Sequence, residues 1–197
     1  DAYAVTGYFG GILGTGARAD LMAGWLEESR AAAVAEGRDA GLSGEALEAH
    51  IDAHRFDLAM RKAGEELQGG ALSGDSTDTV ADLLGRVLPY HAKVAQAHGL
   101  ELVVYEGGSH VVGIGEAVDD EELTAFFQAF NYSPYMARLY DELLTGWRDL
   151  TDGVFTAYAD VYAPTKWGSW GHLRHLEDDN PRWQALRAAL MCEVGCE

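Results

Sequence analysis

The sequence predicts an α/β fold made of parallel βα units, a sheet flanked by helices. Three observations carry that expectation. Strand-like segments at residues 2–9 (AYAVTGYF), 101–106 (ELVVYE) and 153–162 (GVFTAYADVY) are each followed by a glycine-rich or aromatic loop and then by a helical pattern. These segments carry few charges before their C-terminal ends, as buried parallel strands should. The chemically unusual residues gather just after the strands, where open α/β sheets and βα barrels bind ligands.

In chain order, the first strand ends on Tyr8 and is followed by an insertion, residues 14–75, before its helix arrives. A structureless loop of that length is uncommon. The pattern instead predicts two helices, near 17–36 and 43–68, the second opened by Ser43 and closed by Gly69 and Gly70. We expect them to cap one end of the sheet and to cover its open edge, which is otherwise a site for aggregation. The helix at 77–98 keeps Val80, Leu83, Leu84, Val87, Leu88 and Val94 near the spacing of one buried face, with a kink expected at Pro89.

The middle strand alternates. Counting by two puts Leu102, Val104 and Glu106 on one face and Val103 with Tyr105 on the other, so Glu106 is expected to continue an apolar row. A carboxylate there must be hydrogen-bonded, paired or shifted in pKa. A structural salt bridge and a ligand site are both open, and the bare backbone of Gly107 and Gly108 gives a ligand room to approach. The helix at 134–149 is opened by Ser133 as N-cap and Pro134, and the last helix, 181–191, by Asn180 and Pro181. Residues 192–197 are expected to form a frayed tail. Cys192 and Cys196 there either close a small disulfide loop or remain two free thiols.

Composition narrows the partners. The 197 residues, 48% hydrophobic and 23% charged, are those of a globular chain able to bury one sizeable core. Fourteen Lys and Arg against 32 Asp and Glu give a net charge of -18, a field that repels phosphate backbones and anionic membranes. Nucleic acid and membrane partners are therefore not expected; a neutral or cationic ligand is. No apolar run reaches the roughly 18 residues of a membrane-spanning helix. Residue 1 is Asp and already opens a strand, so the sequence is expected to be a piece of a longer chain.

Candidate site residues follow from position. Tyr8 ends the first strand, Glu106 and His110 the second, and Asp160, Tyr162, Lys166, Trp167 and Trp170 follow the third. In YAPTKWGSWGHLRH, 162–175, the two tryptophans lie among glycines and offer flat apolar faces with an N–H edge, suited either to sugar rings or to a core. His172 follows that loop and is a possible sugar contact. His50 and His54, with Asp57 near, have an i, i+4 spacing that can bind zinc, but without a third ligand a solvated helix face is the better account; His172 and His175 are weaker still.

The order YEGG-x-H, SPYMARLYDELLTGW, FTAYADVY and KWGSWG, over residues 1–12 and about 77–190, resembles the C-terminal portion of clan A (β/α)8-barrel glycoside hydrolases. The resemblance implies a partial barrel of three C-terminal βα units, strands six to eight, within a single catalytic domain over 1–191. It implies retaining hydrolysis of poly- or oligosaccharides by a hydrolase of extracellular or periplasmic location, with no cofactor and no metal. Glu106 would then be the nucleophile, Tyr8 its orienting residue, and Trp167 or Trp170 a sugar platform, with His110, Asp160 and His172 as further substrate contacts. The family's general acid/base, an Asn-Glu pair on strand four, has no counterpart here, and neither Asp160 nor Asp1 matches its position. It is expected upstream, in a missing N-terminal half of the same barrel. The alternatives are a non-catalytic carbohydrate-binding protein on that scaffold and a non-enzymatic α/β interaction protein.

Overall fold

The computed structural model describes the backbone of residues 1–195 and the side chains of residues 1–191. It is a mixed α/β protein with a parallel three-stranded sheet in the order β1 (Ala2–Phe9), β2 (Glu101–Ser109), β3 (Phe155–Ala157). The helices are α1 (Ala19–Asp39), α2 (Gly44–His54), α3 (Asp57–Gly69), α4 (Val80–Asp82), α5 (Leu88–Ala97), α6 (Glu121–Asn131), α7 (Pro134–Leu150) and α8 (Pro181–Gly195). Because α8 runs to Gly195, the expected tail from 192 begins as helix. The Cys192–Cys196 pair lies outside the described residues.

One core joins the sheet to the helical layer. Val5 and Phe9 of β1 and Leu102 and Val104 of β2 are buried in the same cluster as Leu88, Phe126, Phe130, Leu143 and Leu186. The other face of the sheet is open: Ala2, Ala4 and Thr6 are exposed, and Tyr105 is 54% exposed. The insertion shares this core through Met22, Trp25, Phe56 and Leu67. It holds three helices rather than two, because the second expected helix breaks between α2 and α3. Its α3 packs against α4 and α7 and so widens the helical layer, and Leu67 of α3 also reaches Gly10, just past the C-terminal end of β1.

Local chemistry explains the helix boundaries. Ser133 accepts from the Met136 N–H at 3.3 Å, and Asn180 Oδ1 accepts from the Trp183 N–H at 3.1 Å, with a proline next in each case. The chain between α4 and α5 is a π-helical turn, Leu83–Val87, instead of a simple kink at Pro89. Proline has no N–H to give and its ring clashes with the carbonyl four residues back, here that of Gly85; the wider turn accommodates both. Helix α6 was not expected, yet its signals are ordinary. Asp120 accepts from the Leu123 N–H at 2.9 Å, Glu121 and Glu122 fill the first turn, and Phe126, Phe127 and Phe130 form the buried stripe.

Strand β3 is much shorter than the expected 153–162. Tyr158 still donates to the Gly107 carbonyl of β2 at 3.0 Å, but from Ala159 the backbone turns to a different partner: Ala159 donates to the Trp170 carbonyl at 2.8 Å, and Tyr162 to that of Leu173 at 3.0 Å. His172 and Leu173 donate back to the carbonyls of Ala159 and Asp160. The tryptophan loop thus takes hydrogen bonds that a longer strand would have given to the sheet.

Candidate functional site

Register decides where Glu106 goes. Val5 pairs with Val104, but the next residue, Thr6, pairs with Glu106, so Tyr105 is the extra residue of a β-bulge. The β2–β3 ladder slips at the same place, from Val104↔Phe155 to Gly107↔Ala157. Paired residues share a face, and Thr6 lies on the open one. Glu106 therefore does not continue the Leu102–Val104 row; the bulge moves it to the helix-free face beside Tyr8. Counting by two failed because it assumes an unbroken ladder.

Around Glu106 the strand ends assemble an aromatic group. The Tyr8 ring lies 5.8 Å from His110 and 6.2 Å from Trp170; His110 is 5.3 Å from Trp170, and Tyr158 stands edge-on to Trp170 at 6.0 Å. Burial pushes the Tyr8 phenol well above its ordinary value, and the Glu106 carboxylate, by charge and hydrogen bonding, pushes it further. Tyr8 thus stays protonated, a donor next to a carboxylate. His110 is half-buried, and burial lowers its pKa.

Gly107 and Gly108 serve packing as well as access. A Cβ on Gly107 would lie 2.7 Å from the Gly7 carbonyl oxygen, and one on Gly108, at φ 125°, only 2.3 Å from the Tyr140 hydroxyl. The glycines let β1, β2 and α7 close up directly behind the carboxylate.

The tryptophan loop is held from beneath by Arg182, which is 1% exposed. Its guanidinium donates to the carbonyls of Ser169, at 2.9 Å, and Gly171, and lies over the Tyr132 ring at 4.6 Å. It also reaches Asn131 Oδ1 at 3.4 Å, which accepts from the Ser109 hydroxyl at 2.6 Å. One buried cation thereby ties the loop bearing Trp170 to the end of β2. Trp170 donates its indole N–H to the Trp167 carbonyl at 3.0 Å. Trp167 itself is 64% exposed, with Lys166 Nζ 4.9 Å from its ring centroid, and forms the outer rim.

Other candidates lie elsewhere. Asp160 and His172 line a groove of about 750 Å³ between β3, α7 and α8, on the helical side of the sheet. His172 is 2% exposed, its Nδ1 lies 2.6 Å from the Ala159 carbonyl, and its pKa is pushed down to about 3 by burial and then by Arg182. That is a buried structural imidazole. Asp1 sits at the opposite end of β1, its carbonyl accepting from the Glu101 N–H, roughly 16 Å along the strand from the site at ~3.3 Å per residue. Asp1 thus stands at the far end of the strand from Glu106, and Asp160 borders the groove on the helical side. Tyr162 is exposed and belongs to the bridge with Leu173. His54 pairs with Asp57 at 2.8 Å, and among the described residues no cluster of three potential ligands can hold a metal ion.

Sequence reasoning missed Tyr158, taken there as part of a longer strand, and Asp78, which accepts from the Ile12 and Gly10 N–H groups in the loop after β1. Asp78 is far from that loop in the chain, and no local motif announces it. The chain matches no protein-family model, no curated protein and no solved structure. No described helix is long and apolar enough to cross a membrane.

Proposed function

We propose that this chain carries the nucleophile side of a retaining glycosidase site on a (β/α)8 scaffold, with Glu106 as nucleophile and the Tyr8, His110 and Trp170 rings as its sugar-binding wall. The observation that supports this reading best is the bulge at Tyr105, which turns Glu106 onto the helix-free face of the sheet beside Tyr8. A sheet with helices on one face only suits a sector of a closed barrel, whose strands face one another across the interior. In a doubly wound sheet both faces would be covered.

The mechanism follows from these positions. Glu106 attacks the anomeric carbon while a general acid protonates the leaving oxygen; water then releases the glycosyl-enzyme with retention. Retention needs a second carboxyl group about 5 to 5.5 Å from the nucleophile. With Asp1 and Asp160 placed elsewhere, we assign it to strands outside this sequence, the remaining part of the barrel. A protonated Tyr8 donates to Glu106 and keeps it aimed. The chain alone is expected to bind a sugar without turning it over.

The test is an aryl-glycoside assay on the longest natural polypeptide carrying this chain. Glu106→Gln should reduce kcat by at least about 10³, an order typical of losing a catalytic group. Undiminished turnover in the variant would remove Glu106 from the chemistry.

A further inference from the structure

One face of α1 borders a groove of about 500 Å³ that shares no residue with the Glu106 site. Ala19, Met22, Ala23, Leu26, Glu27 and Arg30 line it at helical spacing. Leu13 and Thr15, from the loop after β1, and Leu123, from the first turn of α6, complete the walls.

Floor and rim differ in chemistry. Leu13, Met22, Leu26 and Leu123 are buried, 1% to 8% exposed, and supply an apolar floor. The rim carries Glu27 from α1, Glu116 from the 3₁₀ turn Gly115–Asp119, and Asp120 with Glu122 at the start of α6. All four are exposed, and none forms an ion pair among the described residues. One oxygen of Asp120 caps α6. Arg30 is the single cation of the lining, so the carboxylates outnumber it four to one. A cluster of carboxylates alone is a solvated face. Here the carboxylates surround apolar side chains, which favours an occupant that is cationic and apolar at once.

Size selects among such occupants. Ala19 to Arg30 spans about 16 Å of helix at ~1.5 Å per residue, so 500 Å³ spread along it leaves a cross-section of roughly 30 Å². A helix, at least ~10 Å across, needs more than twice that area. A single methylene chain is slender enough. We propose that this groove binds a linear polyamine, with methylene segments on the Leu13–Met22–Leu26–Leu123 floor and ammonium groups at the rim carboxylates. Exposed ion pairs are individually weak, so the match lies in the alternation of charge and methylene along one chain. A bare metal cation meets the rim without the floor. The net charge of -18 draws polycations toward the molecule, and the groove gives them one place to settle.

Spermidine is the probe. The chain has four methionines, so the Met22 methyl is followed by ¹H–¹³C correlation as spermidine is titrated in at physiological salt. A saturable shift of Met22 is expected, and none with magnesium chloride at equal charge. Glu116→Gln with Glu122→Gln should weaken binding about fivefold, the effect of two exposed ion pairs. Glu45→Gln with Glu48→Gln makes the same change in net charge at exposed positions of α2 and should leave the affinity nearly unchanged. Ala23→Phe, at an exposed position of α1, fills the groove without altering any charge and should abolish the shift. Equal weakening by the two charge pairs would mean attraction to the general field alone. Undiminished binding in Ala23→Phe would put spermidine elsewhere. Either result overturns the proposal, as does a Met22 methyl that spermidine leaves in place or that magnesium moves equally. Failure of the Glu106 assay leaves these readings untouched, so the two ideas fail separately.

Discussion

Gly107 meets backbone on one side and Phe155 on the other. A methyl added there would come within 2.7 Å of the Gly7 carbonyl oxygen and 2.7 Å of Phe155 Cζ. Backbone cannot step aside as a flexible side chain can, so Gly107→Ala is expected to lower unfolding free energy by about 2 kcal/mol or more in urea titration. Gly24, within α1 and with open space where its Cβ would go, is the control: Gly24→Ala should raise stability by about 0.5 to 1 kcal/mol. At this scale the sequence was readable in part. A glutamate entering two glycines at the end of an apolar strand marks a place where neighbouring backbone and side chains crowd close, and the aromatic residue ending the neighbouring strand, Tyr8, does lie beside that glutamate. Asp78 carried no such mark, because only the fold brings it to the loop after β1, where it accepts from the Ile12 and Gly10 N–H groups. The face of Glu106 was misread for the same reason: a bulge is a property of two strands, and only one was being counted.

Among the elements, the tryptophan loop depends most on a single distant residue. Arg182, at the start of α8, holds the Ser169 and Gly171 carbonyls and reaches Asn131, with no carboxylate in those contacts. Arg182→Leu strands buried acceptors and is expected to cost about 3 kcal/mol, with a shift in tryptophan emission as the loop loosens. Arg182→Lys should fall between the two, since an ammonium keeps the charge but cannot reproduce the fork. Equal stability of Arg182→Leu and wild type would show that the loop is held by other means. The prolines and caps at 133–134 and 180–181 were legible because helix starts are written locally. The truncation of β3 was not: residues 159–162 have a good strand composition, but the loop at 170–173 competes for their hydrogen bonds. The start of helix α6 is also written locally, in Asp120 before two glutamates and a phenylalanine stripe.

For the molecule as a whole, the consequence of a buried neutral histidine is a pH window. His172 has a folded pKa of about 3, lowered first by burial and then by Arg182, against 6.5 in the unfolded chain. Between those values the unfolded state binds the extra proton, so this contribution is complete above pH 6.5 and is lost as pH falls toward 3. One proton corresponds to a slope of about 1.4 kcal/mol per pH unit at most. Urea titrations of wild type and His172→Leu from pH 7 to 5 should differ in slope by up to that amount, the variant being flatter; parallel curves would mean that His172 is protonated in the folded protein. Parallel βα order and helical flanking were visible in the sequence through period and turn chemistry. The one-sided sheet was not, since which face the helices choose depends on the whole layer, insertion included.

The central claim is that Glu106, turned by the bulge onto the open face, is the group that attacks a sugar. A 2-deoxy-2-fluoro glycosyl fluoride, incubated with the longest natural polypeptide carrying this chain and followed by peptide mass mapping, tests it most directly. The expected adduct is one fluoro-glycosyl group on the peptide containing Glu106, absent in Glu106→Gln. An adduct on any other carboxylate, with Glu106 unmodified, would contradict the account.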